Sequence, residues 1–473
     1  MSSPPTPQEM AERALARSTS DGCIVITDQT TTANLRWANN TLTTNGVTHT
    51  RQLTVIATVA GAAGTSVGVV ARGGMALDSL ESLVAAADQA ARDAPPAEDA
   101  QPLVGPEAAP ASVAGWEADP IETTMAVFSA LAPSLGDAFE QARGGDRLLF
   151  GFAQHQLQCT YLASSTGLRL HHNQPTGYVE LNAKSNDYTR SAWAGLTTRD
   201  FTGVDLVALD HQLAERLRWA EHRTELPAGR YETLLPPTAV ADLMVDLYWS
   251  AGARDAQQGR SVFSQPGGGT RVGELVTNVP VTLRSDPGQV GLECQPFVIA
   301  RSSGSTQSVF DNGLPLQPTN WIDGGRLGAL VQTRHSAPLT ALPVTPGIDN
   351  LIMEASAPTA AAAPGASLDD MIAGTDRGLL LTCLWYIRVV DPQTLLLTGL
   401  TRDGVYLIEH GEVVGAVNNF RFNESPVDLL GRITEVGATE PTLPREWADY
   451  FTRAAMPALR IPDFNMSSVS QAT

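Results

Sequence analysis

From about Arg230 the chain opens with a strand (YETLLP) and a helix, after which many short apolar runs are separated by Gly, Pro and Asn turns. GELVTNVPVTLRSDP, GLECQPFVIAR, RLGALVQTRHS, LLLTCLWYIRVV and TLLLTGLTRDGVYLIEHGEVVGAVNNFRF all read this way. Many such runs in succession, bounded by turn residues, predict a strongly curved, barrel-like β domain. Glu409-His410-Gly411-Glu412 is a candidate hairpin turn, and Arg402-Asp403-Gly404 suits a tight reversal. Ala355 to Ala366 (ASAPTAAAAPGA) is an irregular interruption.

The N-terminal half alternates differently. Pro5 to Arg17 has the pattern of an amphipathic helix, and Cys23 to Asp28 that of a strand. Leu35 to Thr44 and Thr48 to Val59 predict a hairpin about the turn dipeptide Asn45-Gly46. Ser66 to Ala71 adds a strand, and Leu77 to Asp93 carries apolar residues at helical spacing. Ala94 to Ala114 is dense in Ala, Pro and acidic residues, as an exposed linker would be. A helix is predicted from Thr123 to Arg143, strands from Leu148 to Thr202, and a helix from Asp205 to Glu221. The whole reads as an α+β chain: residues 1–93 an N-terminal α/β domain, 94–114 the linker, 115–226 a middle β/α segment, and 227–473 the β-rich, barrel-like C-terminal domain. A length of 473 residues accommodates two or three such units.

Composition narrows the partners. With 31 basic and 50 acidic residues the formal charge is −19, and no Lys/Arg cluster stands out, which argues against nucleic acid. Cys23, Cys159, Cys294 and Cys383 lie far apart with no C-x-x-C pair, as expected of free thiols in a reducing cytoplasm. No signal-peptide core and no run of about 18 apolar residues occurs, so no membrane span is expected and a cytoplasmic location is.

Candidates for chemistry are few. Of eight histidines, His171 and His172 point to opposite faces of a strand. His211 and His222 share a helix face but stand about 16 Å apart. His211 and Glu215 have the spacing of an ordinary i,i+4 helix contact. Gly64-Thr65-Ser66-Val67-Gly68 matches G-x-S-x-G, yet it runs into β-branched SVGVVA where a nucleophile elbow needs a helix. Gly267-Gly268-Gly269-Thr270 lacks the Gly-Lys-Ser/Thr of a phosphate loop. Leu243, Met244, Leu247 and Tyr248 form an apolar stripe, as in a packed helix, with Asp246 on another side.

Two long stretches carry a resemblance. Gly229 to Glu274 (GRYETLLPPTAVADLMVDLYWSAGARDAQQGRSVFSQPGGGTRVGE) and RGLLLTCLWYIRVVDPQTLLLTGLTRDGVYLIEHGEVVGAVNNFRFNESP resemble the TldD/TldE (PmbA) family. The Arg-Trp-Ala-Asn-Asn element and the alanine-rich helix after it resemble its N-terminal domain. The family was first described as modulators of DNA gyrase and later as a two-subunit zinc protease. The resemblance implies a zinc motif, His-Glu-x-x-x-His, on the helix of the catalytic TldD-type chain. Counted back from Ser261-Val262-Phe263, that motif falls on Met244, Val245 and Trp249, none of which is a zinc ligand of ordinary preference. Family members also use a cysteine thiolate near the C-terminus; here the last is Cys383, and MPALRIPDFNMSSVSQAT has none.

The resemblance therefore implies a non-catalytic TldE-type subunit that binds no cofactor and hydrolyses no peptide bond by itself. Zinc is expected in a TldD-type partner of a heterodimeric metalloprotease acting on unfolded or modified peptides. The alternative is a non-enzymatic peptide-binding or scaffold protein, as a homodimer. Asn418, Asn419, Arg421, Asn423 and Glu424 resemble the polar strand and turn that line the family's peptide cavity near the subunit interface, although a polar hairpin face on the surface reads equally well. Trp249 is expected to plug the dead site.

Overall fold

Two asparagines set the first reversal of the chain. In the computed structural model, which describes residues 5–74, 79–108, 115–356 and 365–470, β1 (Gly22–Ala38) and β2 (Thr41–Gly61) pair antiparallel over their whole length. Asn39 and Asn40 between them adopt φ of 50° and 58°, the left-handed conformation Asn tolerates better than most residues. The reversal therefore does not sit at Asn45-Gly46, which lies within β2 opposite Leu35 and Asn34. Asn40 decides the matter through its side chain, which donates to Arg147 O at 2.8 Å and accepts from Leu149 N at 2.7 Å.

Those two bonds lead into β4. With β3 (Gly64–Gly73), β4 (Arg147–Ser164), β5 (Arg169–Ser185) and β6 (Ser191–Thr198), the first strands form one antiparallel sheet in the order β3-β2-β1-β4-β5-β6. Residues 1–93 and 115–226 are thus not separate units, because β1 pairs with β4 from Ile24 to Trp37. The intervening segment is not a free linker either. Val104 is buried among Ile24, Ile26 and Phe297, Ala97 N donates to Thr65 O at 2.8 Å, and Thr166 Oγ1 donates to Val104 O at 2.7 Å. Positions 109–114 of that segment lie outside the described residues.

Strand alternation assigns the two faces. Odd-numbered residues of β1, β4 and β5 meet four helices: α1 (Pro7–Arg17) and α2 (Leu80–Asp93) over Val25 and Ala163, α3 (Leu131–Gly144) and α4 (Leu206–Trp219) over Leu35, Leu149 and Leu181. Even-numbered Ile24, Ile26, Leu162 and Leu170 face the other way, onto Phe297, Val309 and Phe310 of the C-terminal half. Thr6 closes a capping box on α1 with Glu9, and α2 begins at Leu80, the predicted Leu77 and Asp78 lying outside the described residues. The helix predicted from Thr123 is broken into a 3₁₀ turn (Met125–Phe128) and α3. Pro133, in the first turn of α3, explains the break, since a longer helix would place it where its ring strikes the preceding turn.

The C-terminal half is a fourteen-stranded sheet. Its spine is the strand Ala454–Val469, which pairs successively with strands at Leu351–Ala355, Glu435–Thr442, Gly229–Leu235 and Phe420–Glu424, shifting register as it goes. Among the described residues the pairings branch and form no ring, so the sheet bends around its core without closing. His410 and Gly411 make the predicted hairpin turn with φ of 52° and 84°. Asp403 (φ 55°) and Gly404 (φ 150°) make the predicted reversal. Most of the interruption at Ala355 to Ala366 lies outside the described residues. At the centre of the sheet runs α5 (Pro237–Trp249).

Candidate functional site

Two prolines, Pro236 and Pro237, start α5 at positions where a missing N–H costs nothing. From Ala239 to Tyr248 every residue is buried, and Met244 and Val245 have no exposed surface at all. A helix apolar on every side must have protein on every side. Here the strands Ala454–Val469, Glu435–Thr442 and Gly229–Leu235 supply part of it. Trp249 emerges at the C-terminal end, 43% exposed. Of the three positions the resemblance aligns with the zinc motif, two are core and one is at the surface. Their side chains do not fit a zinc ion: a thioether, an isopropyl group and an indole present no imidazole, carboxylate or thiolate. Among the described residues no group of three His, Cys, Asp or Glu is placed to hold a metal. Cys383 is packed against Tyr178, Trp193 and Leu443, and burial pushes its thiol up to about 12.

One face of α5 is nonetheless acidic. Asp242 and Asp246, one turn apart, are both buried. Asp242 Oδ1 accepts the Glu446 backbone N–H at 2.9 Å, and Trp447 Nε1 donates to Asp242 O at 3.0 Å. Glu446 itself accepts the N–H groups of Tyr386 and Ile387, both at 3.1 Å. Among the described residues, Oδ2 of Asp242 and Oδ2 of Asp246 have no hydrogen-bond partner. Burial raises the Asp242 carboxyl well above the usual range. Burial, and then the neighbouring Glu446 carboxylate, raise Asp246 to about 7.

The C-terminal end of α5 opens onto a cavity of about 460 Å³ between the two halves of the molecule. Gln158 of β4 forms part of one wall, the segment Phe297 to Arg301 another, and Tyr248, Trp249, Tyr450 and Phe451 the aromatic side. Trp249 stands 5.0 Å from Trp447 and 6.3 Å from Phe451, centroid to centroid, in edge-on contacts. Tyr248 is fixed from behind, donating to Ile348 O at 2.9 Å and accepting from Ile348 N at 2.6 Å. Trp249 therefore lines the cavity. The volume lies within the range of small-ligand sites, which are usually concave, apolar and set between domains.

The predicted polar constellation lies elsewhere and is not part of the cavity lining. Asn418 is buried and accepts from Leu226 N at 2.7 Å. Asn419 Oδ1 accepts from Thr401 Oγ1 at 3.3 Å. Arg421 is exposed and reaches Thr398 Oγ1 at 3.3 Å, and the same hydroxyl donates to Asn423 at 2.9 Å. Glu424 is buried, paired with Arg432, and accepts Asn465 N at 2.7 Å. These five residues lie along the strand Phe420–Glu424 and the connection that leads into it, where they bond mainly to neighbouring strands.

Other candidates resolve simply. His171 stacks on Tyr161 at 4.3 Å while His172 bonds Gln174, on opposite faces as predicted. Ser66 lies within β3 and donates to Ala94 O at 2.9 Å. The cavity residues Gln158, Gln295 and Arg301 escaped sequence reasoning because they come from separate segments and form no motif.

Fold and site define an α+β protein whose β-rich C-terminal domain is built around a buried helix. The profile of the PmbA/TldA metallopeptidase C-terminal domain matches residues 228–468, and the chain belongs to this family. It is similar to the crystal structure of TldE from Thermococcus kodakarensis, with a TM-score of 0.74 at 16% identity over 96% of this chain and 98% of that one. A protein of Bacteroides thetaiotaomicron described as a modulator of DNA gyrase gives a TM-score of 0.75 at 14% identity, over 98% and 99% of the two chains. One so described from Thermotoga maritima gives 0.74 at 17%, over 97% and 99%. No curated protein sequence matches the chain. Among the described residues, no helix is long and apolar enough to cross a membrane.

Proposed function

We propose that this chain is the non-catalytic, TldE-type subunit of a two-chain metallopeptidase. Its TldD-type partner supplies the zinc and the general base, and unfolded or modified peptides are the substrate. One observation carries the reading: Met244 and Val245 are wholly buried, apolar members of the core. A ligand pair for zinc needs donor atoms reaching a common, open point, whereas these positions serve packing. The low density of basic residues supports a peptide over a nucleic acid.

Native mass spectrometry of the chain, affinity-purified from its own cells with zinc counted in each complex, tests this. The expected species is a one-to-one complex with a second family chain, carrying zinc that stays with that partner on dissociation. A zinc-free homodimer or monomer sinks the reading in favour of a binding or scaffold protein. Zinc retained by this chain alone places a metal site where none is proposed.

A further inference from the structure

The cavity at the end of α5 has an unusual electrostatic character. Its charged lining residues are Arg301, Asp311 and Asp349. Each already has a counter-charge from the chain itself: Arg301 from Asp28, Asp311 from Arg334 at 2.7 Å, and Asp349 from Arg453. No net charge of the wall is left to balance an ionic guest, and moving an unbalanced charge out of water into such a site is costly. What the wall does offer is amide and aromatic. Gln158, Gln295 and Gln307 contribute side-chain amides, and the buried Nε2 donor of Gln295 has no partner. Trp249 and Tyr450 leave large surfaces exposed, at 43% and 76%.

Amides complement the peptide backbone, and ring faces complement apolar side chains. We propose that this cavity binds an uncharged, extended peptide segment and seats one of its aromatic or bulky aliphatic side chains against Trp249 and Phe451. The proposal rests on the reading of the chain as the peptide-handling partner of a peptidase. It adds that this subunit selects sequence by a pocket of its own. Because Trp249 lines the site, the same side chain that ends the buried helix supplies the recognition surface.

The test uses the full chain and three blocked peptides, Ac-Gly-Leu-Phe-Gly-NH2, Ac-Gly-Ser-Ser-Gly-NH2 and Ac-Gly-Asp-Glu-Gly-NH2, with affinities from calorimetry. The Leu-Phe peptide should bind about tenfold or more tighter than the other two, as burial of one large apolar side chain implies. Trp249→Ala, which removes the ring, and Thr306→Trp, which fills the rim, should each weaken it about fivefold or more. A Leu-Phe peptide carrying a photoreactive benzoyl group on the ring should crosslink to residues 297–301 or 449–451 of the unmodified chain, which keeps the test decisive if a variant misfolds. Equal affinity for all three peptides, tighter binding of the acidic one, or crosslinks confined to other segments overturns the proposal. A chain that forms the one-to-one zinc complex yet ignores these peptides loses the pocket and keeps the subunit reading. Selective binding by a chain without a partner does the reverse.

Discussion

Asp242 Oδ1 accepts the backbone N–H of Glu446 at 2.9 Å, and the Glu446 carboxylate accepts two N–H groups from Tyr386 and Ile387. The buried helix, the segment before the last strand and the strand Leu384–Asp391 are thereby tied through one acidic residue. Asp246, a turn further along α5, sits beside the same carboxylate with Arg388 nearby. Burial raises the carboxyls of both Asp242 and Asp246 above the usual range, and this makes the region sensitive to pH.

Asp246 titrates at about 7 in the folded protein because burial and Glu446 disfavour its charge. In the unfolded chain an Asp titrates near about 3.9. Between these values the folded state holds the extra proton, so stability falls as pH rises and levels off above the folded value. Asp246→Asn removes this dependence. At about pH 8 the variant should be more stable than wild type by on the order of 2–4 kcal/mol, and near pH 4 about equal. Urea titrations at both pH values check it; a variant less stable than wild type at the higher pH contradicts the assignment.

Val245 marks how far the core departs from a metal site. Val245→Glu places a carboxylate where no side-chain surface meets solvent and should cost about 3 kcal/mol or more. The triple replacement Met244→His, Val245→Glu, Trp249→His should give no zinc-dependent hydrolysis, since the buried pair faces packed strands and Cys383 packs against Tyr178, Trp193 and Leu443. Chemical denaturation measures the first effect. Zinc-stimulated peptide cleavage by the triple variant would refute the second.

Arg445 holds the two halves together. Its guanidinium lies 3.8 Å from the Trp385 ring centroid and 5.4 Å from that of Trp193 on β6. It also pairs with Asp403 at 3.4 Å, and Asp403 accepts from Ser191 on the same strand. Nε and Nη1 of Arg445 have no hydrogen-bond partner, so the ring faces contribute much of the compensation for its charge. Arg445→Met should destabilise by about 2–4 kcal/mol, and Arg445→Lys by less, because the charge survives while the planar stack does not. A double-mutant cycle with Asp403→Asn should give a coupling of about 1–2 kcal/mol; zero coupling removes the pair from the account.

Much of the architecture was legible in local patterns. Turn chemistry located the hairpin at His410-Gly411, and helical periodicity located α1 and α4 to within a few residues. The single sheet spanning residues 22–198 was not legible, because nothing in β1 announces that its partner lies more than a hundred residues ahead. The irregular segment after α2 looked like a linker by composition, yet Val104 found an apolar niche between sheet and C-terminal half. At the site, the apolar run of α5 revealed a packed helix. The cavity at its end did not show, since its wall is assembled from segments that share no motif.

The first hairpin offers the sharpest contrast between local signal and tertiary choice. Asn45-Gly46 has the stronger turn propensity, but a turn there would forfeit what Asn40 gains from β4. Asn40 is 2% exposed; besides its two side-chain bonds, its carbonyl accepts from Arg143 at 2.6 Å. Asn40→Ala removes the side-chain partner of the Leu149 N–H and the Arg147 carbonyl, and with it the bonds that offset the left-handed backbone at this position. The cost should be about 2–4 kcal/mol. Gly46→Ala should be neutral or stabilising by up to about 1 kcal/mol, because a β-carbon there meets nothing within 4 Å and fewer unfolded conformations remain. Thermal melts of the two variants decide between the turns. If Gly46→Ala is the damaging change and Asn40→Ala the silent one, the reversal sits at Asn45-Gly46 after all, and the β1–β4 register built on Asn40 falls with it.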